Sequence, residues 1–214
     1  FKSLSGILPL RYRKAMEVLA QLDKGAAAYA YQRILFDQYT LQNIFDLPAP
    51  TFHANNAIWP DTMSARSVEE WRHYTQPVLL RDTDQYSMAV GLELRAPFMD
   101  QDLVNFALSL PDELKRGTRS KYLLIEAFKD LLPTNVYDRK KQGFTLPWEQ
   151  WMRHELKDFC QAHIAAFALR IDAPQLNKEW AQFVLGRGQW SWSRLWSVVT
   201  LEDYLIRNEI TVRA

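Results

Sequence analysis

Residues 84–100 read DQYSMAVGLELRAPFMD, and the interpretation of the whole chain starts from this stretch. Its first half predicts a helix from about Asp82 to Gly91. Glu93 follows among apolar neighbours, with Arg95 as the nearest cation. Such a carboxylate is expected to be partly desolvated, which favours its neutral form unless a cation pairs with it. The residues alone therefore leave two interpretations open, a reactive carboxylate or an ordinary ion pair between Glu93 and Arg95.

Helical signals continue on the C-terminal side of this stretch. Pro97 breaks the chain, and Asp100 is placed to cap a helix that Pro111 closes. A further helical pattern covers residues 120–131 and stops before Pro133. Additional helices are predicted at residues 148–167, 174–185 and 191–207.

The N-terminal side is also helical in pattern, with one irregular connection. Apolar spacing predicts helices at residues 11–23 and 26–45, whereas residues 46–63 contain three prolines and predict an irregular segment. Ser67 with Glu70 matches a capping box that would open the next helix. Pro77 is expected to interrupt or kink that helix.

These patterns predict an all-α chain of about nine or ten helices, in which residues 1–214 form a single helical segment. No alternating strand pattern and no internal repeat stands out in the sequence. Glycine is scarce, with 7 in 214 residues, which is unfavourable for phosphate-binding loops and tight hairpins.

Composition excludes several classes of protein. The 26 basic and 25 acidic residues give a net charge of +1, so there is no electrostatic footprint for nucleic acid or an anionic membrane. Cys160 is the single cysteine, which excludes intramolecular disulfides and multi-cysteine zinc sites and indicates a reducing, cytoplasmic location. The four histidines show no metal-ligand spacing, and no apolar run is long enough to span a bilayer.

A second candidate site lies around a basic stretch near the middle of the chain. Lys141 precedes Gly143 by two residues. A lysine at a glycine-containing bend can reach a phosphate as a mobile point charge, and the glycine lets the backbone approach closely. A solvated basic face is the alternative interpretation of the same residues.

Four ordered motifs resemble the C-terminal synthetase domain of the asparagine synthase (glutamine-hydrolysing) family. Residues 84–100 resemble its signature D-x-x-S-M-x-x-x-L-E-x-R-x-P-F-L-D. Residues 110–115, LPDELK, are similar to L-P-x-x-L-K, and residues 120–124, SKYLL, to T-K-Y-L-L. Residues 139–147, RKKQGFTLP, resemble R-x-K-x-G-F-x-x-P. Several motifs in one order are far more specific than a single short pattern.

The resemblance implies the helical C-terminal portion of an α/β adenine-nucleotide alpha-hydrolase-like (PP-loop) synthetase domain. Family members use ATP and Mg²⁺ to adenylate a carboxylate, aspartate in asparagine synthase, and ammonia from glutamine then forms the amide. By position, Glu93 corresponds to the family's catalytic glutamate and Lys141 to the lysine that stabilises charge on the phosphate. The resemblance assigns supporting positions to Asp84, Arg95, Asp100, Lys121 and Gly143. It implies no metal ligand in this chain.

The family's S-G-G-x-D-S nucleotide loop, its G-D-G-x-D-E segment and its glutaminase cysteine do not occur in this sequence. We therefore expect the chain to be inactive alone and to bind neither ATP nor Mg²⁺. The missing glutaminase and ATP-loop regions are expected in the same or a separate chain, and homo-oligomers are a further possible arrangement. The family's common residues are replaced at Gln85, Met99, Ile125 and Lys140.

These replacements leave the substrate open. A β-lactam or peptide macrolactam synthetase would adenylate a carboxylate in the same way but use an internal amine. There are two non-enzymatic alternatives. One is a helical binding module that has lost catalysis, and the other is a structural domain with only fold-level similarity.

Overall fold

The computed structural model describes residues 10–19, 33–48, 62–138, 143 and 145–211. The regular structure within these ranges is entirely helical, which confirms the predicted all-α chain. The described residues group into two compact units. The first unit contains residues 10–19, 33–48 and 145–211, and the second contains residues 62–138 and 143. The assignment of residues 1–214 to a single segment of a longer domain stays a prediction.

The α-helices are, in chain order, α1 (Leu10–Leu19), α2 (Gln38–Asn43), α3 (Met63–Glu70), α4 (Arg81–Met88), α5 (Gln101–Ser109), α6 (Asp112–Lys115), α7 (Tyr122–Phe128), α8 (Thr134–Tyr137), α9 (Trp148–Arg153), α10 (Lys157–Arg170), α11 (Gln175–Val184) and α12 (Trp192–Arg207). A π-helical stretch, Trp71–Leu80, joins α3 to α4, and a 3₁₀ turn, Pro97–Met99, precedes α5. None of the helices among the described residues is long and apolar enough to cross a bilayer.

The first unit has a close-packed apolar core built mainly from α9 to α12. Met152, Ile164, Leu176 and Leu195 represent these four helices in it and are almost completely buried. Burying one such side chain contributes roughly 1.5–3 kcal/mol. This core explains why the helices predicted at 174–185 and 191–207 are observed within one residue of those bounds.

A buried ion pair crosses this core between α10 and α12. The Arg170 guanidinium donates from Nε to Glu202 Oε2 at 2.8 Å and from Nη2 to Glu202 Oε1 at 2.7 Å. Glu202 is 1% exposed. Two parallel charge-assisted hydrogen bonds satisfy both carboxylate oxygens, so this buried charge is compensated.

The predicted helix at residues 26–45 is interrupted. Within its described part, Arg33 is helical but residues 34–37 are not, and Asp37 takes an extended conformation (φ −70°, ψ 160°) just before α2. The Asp37 carboxylate is buried, lies 2.7 Å from Arg13 Nε and accepts a hydrogen bond from the Thr40 hydroxyl. The buried carboxylate therefore joins α1 to the start of α2, a contact that local periodicity does not reveal.

The capping box proposed at Ser67 and Glu70 is wrong. The helix begins four residues earlier, at Met63, because the Thr62 hydroxyl accepts a hydrogen bond from the Ala65 N–H at 3.1 Å. Ser67 lies inside α3 and donates to the Met63 carbonyl at 2.8 Å. A threonine cap outside the expected pattern performs the same function.

Pro77 interrupts the α-helical pattern, as predicted, but the chain stays helical. The chain continues from α3 to α4 through the π-helical stretch that contains it. Proline lacks an N–H donor, and its ring clashes with the carbonyl four residues earlier in an α-helix. The wider π-helical turn accommodates Pro77 within the helical chain.

Two further predictions are corrected in length. The helix predicted at 148–167 is divided into α9 and α10, because His154 leaves helical geometry (φ −124°, ψ −88°). The helix predicted at 120–131 is confirmed only as the shorter α7.

The second unit has almost no buried core. Among its described residues, only Ala65, Glu69, Ser87 and Ile125 are buried. Large apolar side chains are instead exposed, including Tyr86, Val90, Phe98, Phe106 and Leu131. A unit that buries so little apolar surface has little hydrophobic free energy to offset its conformational entropy.

We expect Glu202→Gln to lower the free energy of unfolding by about 1.5–3 kcal/mol, because it weakens a buried charge-assisted pair. Asp203→Asn is the matched control. Asp203 is the next residue, and its pair with Arg207 is partly exposed, so the expected loss is below about 1 kcal/mol. Urea unfolding followed by tryptophan fluorescence measures both variants. Equal losses would contradict the structural role of the buried pair.

Cys160 is buried in the first unit, and burial raises the pKa of its thiol to about 11. The thiolate is the reactive form, so the folded chain should react very slowly with a disulfide reagent at neutral pH. The same thiol should react rapidly in denaturant. Equally rapid labelling in both conditions would show that Cys160 is accessible in the folded state.

Candidate functional site

Glu93 lies in a segment without regular secondary structure, residues 92–96, which follows a tightly closed helix end. The Gly91 N–H donates to the Met88 carbonyl at 3.0 Å, and the Leu92 N–H donates to the Ser87 carbonyl at 2.9 Å. Gly91 has φ +70°, a left-handed conformation that glycine adopts without steric cost. This is a Schellman motif, and it directs the chain out of the helix just before Glu93.

The other end of the segment is also held by hydrogen bonds. The Met99 N–H donates to the Ala96 carbonyl at 2.8 Å within the 3₁₀ turn. Asp100 Oδ1 then accepts from the N–H groups of Asp102 and Leu103 at 3.0 and 3.2 Å, which confirms the predicted cap of α5. The Glu93 segment is therefore tethered between two capped helix ends.

Glu93 and Arg95 form an exposed ion pair. Glu93 Oε1 lies 2.5 Å from Arg95 Nη2, and the two side chains are 66% and 83% exposed. The expectation that apolar neighbours desolvate Glu93 is wrong in this structure, because Leu92 and Leu94 are themselves exposed. Chemically, the arrangement is an accessible carboxylate with a guanidinium beside it, able to accept a proton or a hydrogen bond.

The structure places the supporting residues as follows. Asp84 is exposed on α4, and its main-chain carbonyl accepts a hydrogen bond from the Ser87 hydroxyl at 3.2 Å. Lys121 immediately precedes α7 in a left-handed conformation, φ +59°, and its carbonyl accepts from the Ile125 N–H at 3.0 Å. Asp100 caps α5, so its observed contacts are those of a helix cap.

Lys141 lies outside the described residues, and its role on the phosphate stays a prediction. Gly143 is described, and a Cβ placed on it would meet no atom within 4 Å. The chain by itself therefore shows no close approach that requires glycine at this position. The described residues contain no group of three or more side chains suited to hold a metal ion.

The sequence reasoning overlooked the contacts of the Leu110–Lys115 motif. Both carboxylate oxygens of Asp112 accept from the Met63 N–H, at 3.0 and 2.9 Å. Lys115 Nζ donates to the Ser64 hydroxyl and, at 3.3 Å, to the Leu108 carbonyl. We call Ser64, Asp112 and Lys115 the clasp. The motif marked Lys115, whereas Asp112 falls at one of its unspecified positions and Ser64 lies outside it. Only the fold shows that residues about fifty positions apart meet.

Curated relatives are similar to parts of the chain. The asparagine synthetase [glutamine-hydrolyzing] 1 of Bacillus subtilis is 33% identical over 110 residues, which are 51% of this chain and 17% of that protein. The Gallus gallus asparagine synthetase [glutamine-hydrolyzing] is 42% identical over 66 residues, 29% of this chain and 12% of that protein. The human protein of the same name is 32% identical over 97 residues, which are 38% of this chain and 17% of that protein. The matched stretches thus span less than a fifth of each relative.

No solved structure matches the chain significantly. The family comparison covers much more of it. The family model described as asparagine synthase matches residues 7–206, a range that includes the Glu93 segment, the clasp and the core of the first unit. Together with the motif order and the helical fold, this match establishes that the chain belongs to the asparagine synthase family.

Proposed function

We propose that the chain is the C-terminal portion of an ATP-dependent synthetase that adenylates aspartate and converts it to the amide with ammonia released from glutamine. The observation that carries this proposal is the accessible Glu93 carboxylate, held between two capped helix ends within the family's signature stretch. The printed names of the relatives, asparagine synthetase [glutamine-hydrolyzing], support the choice of substrate and nitrogen donor.

Glu93 is the group that would act on the attacking amine. When ammonia attacks the activated carboxylate, the carbon–nitrogen bond forms, AMP leaves, and the nitrogen loses a proton. A carboxylate within hydrogen-bond reach can accept that proton, a contribution of typically 10²–10⁴ in rate. Arg95, which contacts Glu93 in this structure, would keep the carboxylate oriented towards the reacting centre.

Lys141 is proposed to stabilise the charge that develops on the phosphate during adenylation. ATP and Mg²⁺ serve the complete enzyme. The described residues offer no cluster of acidic ligands for Mg²⁺, so no step in this chain is assigned to the metal. Apart from Lys141, the contacts to ATP and Mg²⁺ are proposed to belong to the nucleotide-loop region of the complete synthetase domain.

The exposed apolar surface of the second unit supports the proposal that a further region packs against it. Phe98 and Met99 flank the Glu93 segment, and both are exposed, as are Val90 and Leu131 in the same unit. Apolar surface of this kind usually marks an interface. We propose that the nucleotide-loop part of the synthetase domain covers it, in the same chain or a separate one, with homo-oligomerisation as the alternative.

We expect Glu93→Gln in the complete enzyme to lower asparagine formation at least about 100-fold, because glutamine cannot accept the proton. Glu126→Gln is the matched control, since Glu126 is a glutamate of the same unit that pairs with Lys129 at 3.2 Å. The assay follows asparagine, with ATP–pyrophosphate exchange measured in parallel. Wild-type turnover in Glu93→Gln would overturn the assignment, and amide formation only on an internal amine would favour the lactam-forming alternative.

We expect the isolated chain to bind no magnesium-ATP in isothermal calorimetry, because the preorganised contacts to the nucleotide lie in the missing region. The complete enzyme, titrated under the same conditions, is the positive control. Clear binding by the isolated chain would show that it builds its own nucleotide site and would contradict the proposed division of the domain.

A further inference from the structure

We propose that Asp112 and Lys115 are positioning residues, which act through the clasp to hold the Glu93 segment in place; this inference rests on the proposed function of Glu93. The clasp satisfies the open ends of two helices at once. Asp112 accepts from the Met63 N–H at the start of α3, and Lys115 donates to the Leu108 carbonyl near the end of α5. Ser64 reinforces the contact, because its hydroxyl also donates to the Leu108 carbonyl, at 2.8 Å.

The charges of the clasp suit these helix ends. The first four N–H groups and the last four carbonyls of a helix have no partner within it. A carboxylate stabilises the positive N-terminal end of the helix dipole, and an ammonium stabilises the negative C-terminal end. Asp112 and Lys115 thus cap α3 and α5 reciprocally from one short helix, α6.

The clasp closes a loop of elements that contains the Glu93 segment. In one direction, α3, the π-helical stretch and α4 run continuously from Met63 to Met88, and the Glu93 segment then leads to Asp100 and α5. The end of α5 is fastened back to the start of α3 by the clasp. The relative placement of α4 and α5, which carry the two ends of the Glu93 segment, therefore depends on this contact.

The segment has little else to hold it. Among the described residues, the N–H groups of Glu93, Leu94 and Arg95 donate to no backbone carbonyl. The neighbouring side chains are exposed, so packing within the unit does not restrict the segment either. Its position is set by its two capped ends, and the clasp controls how those ends are arranged.

The experiment compares Lys115→Met with Lys129→Met in the complete enzyme. Both changes remove an ammonium group from the second unit, but Lys129 pairs with Glu126 at the surface and takes no part in the clasp. Deuterium exchange is read by mass spectrometry on peptides covering residues 87–104. Exchange there should be about tenfold faster in Lys115→Met than in the control, because charge-assisted hydrogen bonds are lost. Peptides from α10 and α12 should exchange at the wild-type rate.

The second readout is steady-state amide formation. We expect kcat to fall about ten- to a hundredfold in Lys115→Met, with KM for ATP unchanged, because misplacing a reacting group slows the chemical step. Lys115→Arg, which keeps donors for both Ser64 and Leu108, should recover most of the lost turnover. Ser64→Ala is the milder variant that decides the test if Lys115→Met does not fold.

The outcomes separate the clasp from the proposed function. Wild-type exchange at residues 87–104 and wild-type kcat in Lys115→Met would overturn the positioning role. Faster exchange throughout α10 and α12 would also overturn it, because that result indicates general destabilisation. If the wild-type enzyme forms no amide, the proposed function fails, while the exchange pattern still decides whether the clasp holds the Glu93 segment.

Discussion

Two capped helix ends define the position of the Glu93 carboxylate. The Schellman turn at Gly91 ends one helix, and the Asp100 carboxylate begins the next. The five residues between them, 92–96, have no regular structure of their own. The placement of the candidate catalytic group therefore depends on a few backbone hydrogen bonds at its borders and, through the clasp, on the contact that joins α3 to α5.

The two units of the chain are stabilised by different kinds of interaction. The first unit buries a continuous apolar core, and its helices are held by packing and by the Arg170–Glu202 pair. The second unit is organised by caps, the clasp and the π-helical stretch, with most of its large apolar side chains exposed. This difference supports the proposal that the unit bearing Glu93 is completed by the nucleotide-loop region, so that the active site and the missing core would form together.

Two glutamate–arginine pairs differ in the burial of the carboxylate, and this difference separates a structural role from a candidate chemical role. Glu202 and Arg170 form a buried, bidentate pair that joins two helices. Glu93 and Arg95 form an exposed pair within one short segment. Residue type and charge are the same in both pairs. The Glu202 carboxylate is 1% exposed and cannot reach a substrate, whereas the Glu93 carboxylate can, because its side chain is 66% exposed.

Local signals in the sequence were sufficient for part of this description. Residues 174–185 and 191–207 carry a regular apolar period and became α11 and α12, and the Asp100 cap was evident from its spacing. The motif order identified the family, which the match over residues 7–206 confirmed. These features depend on residues that are close together along the chain.

Tertiary structure decided the features that depend on distant residues. Thr62 rather than Ser67 starts α3, where Asp112 also caps the Met63 N–H. The exposure of Glu93 could not be inferred from its apolar neighbours, because burial depends on what packs against a segment rather than on its own composition. The sequence by itself determined the helical class, the bounds of α11 and α12, the Asp100 cap and the family. The fold alone determined which carboxylate is buried, which is accessible, and which distant side chains hold it in place, because only folding brings those residues into contact.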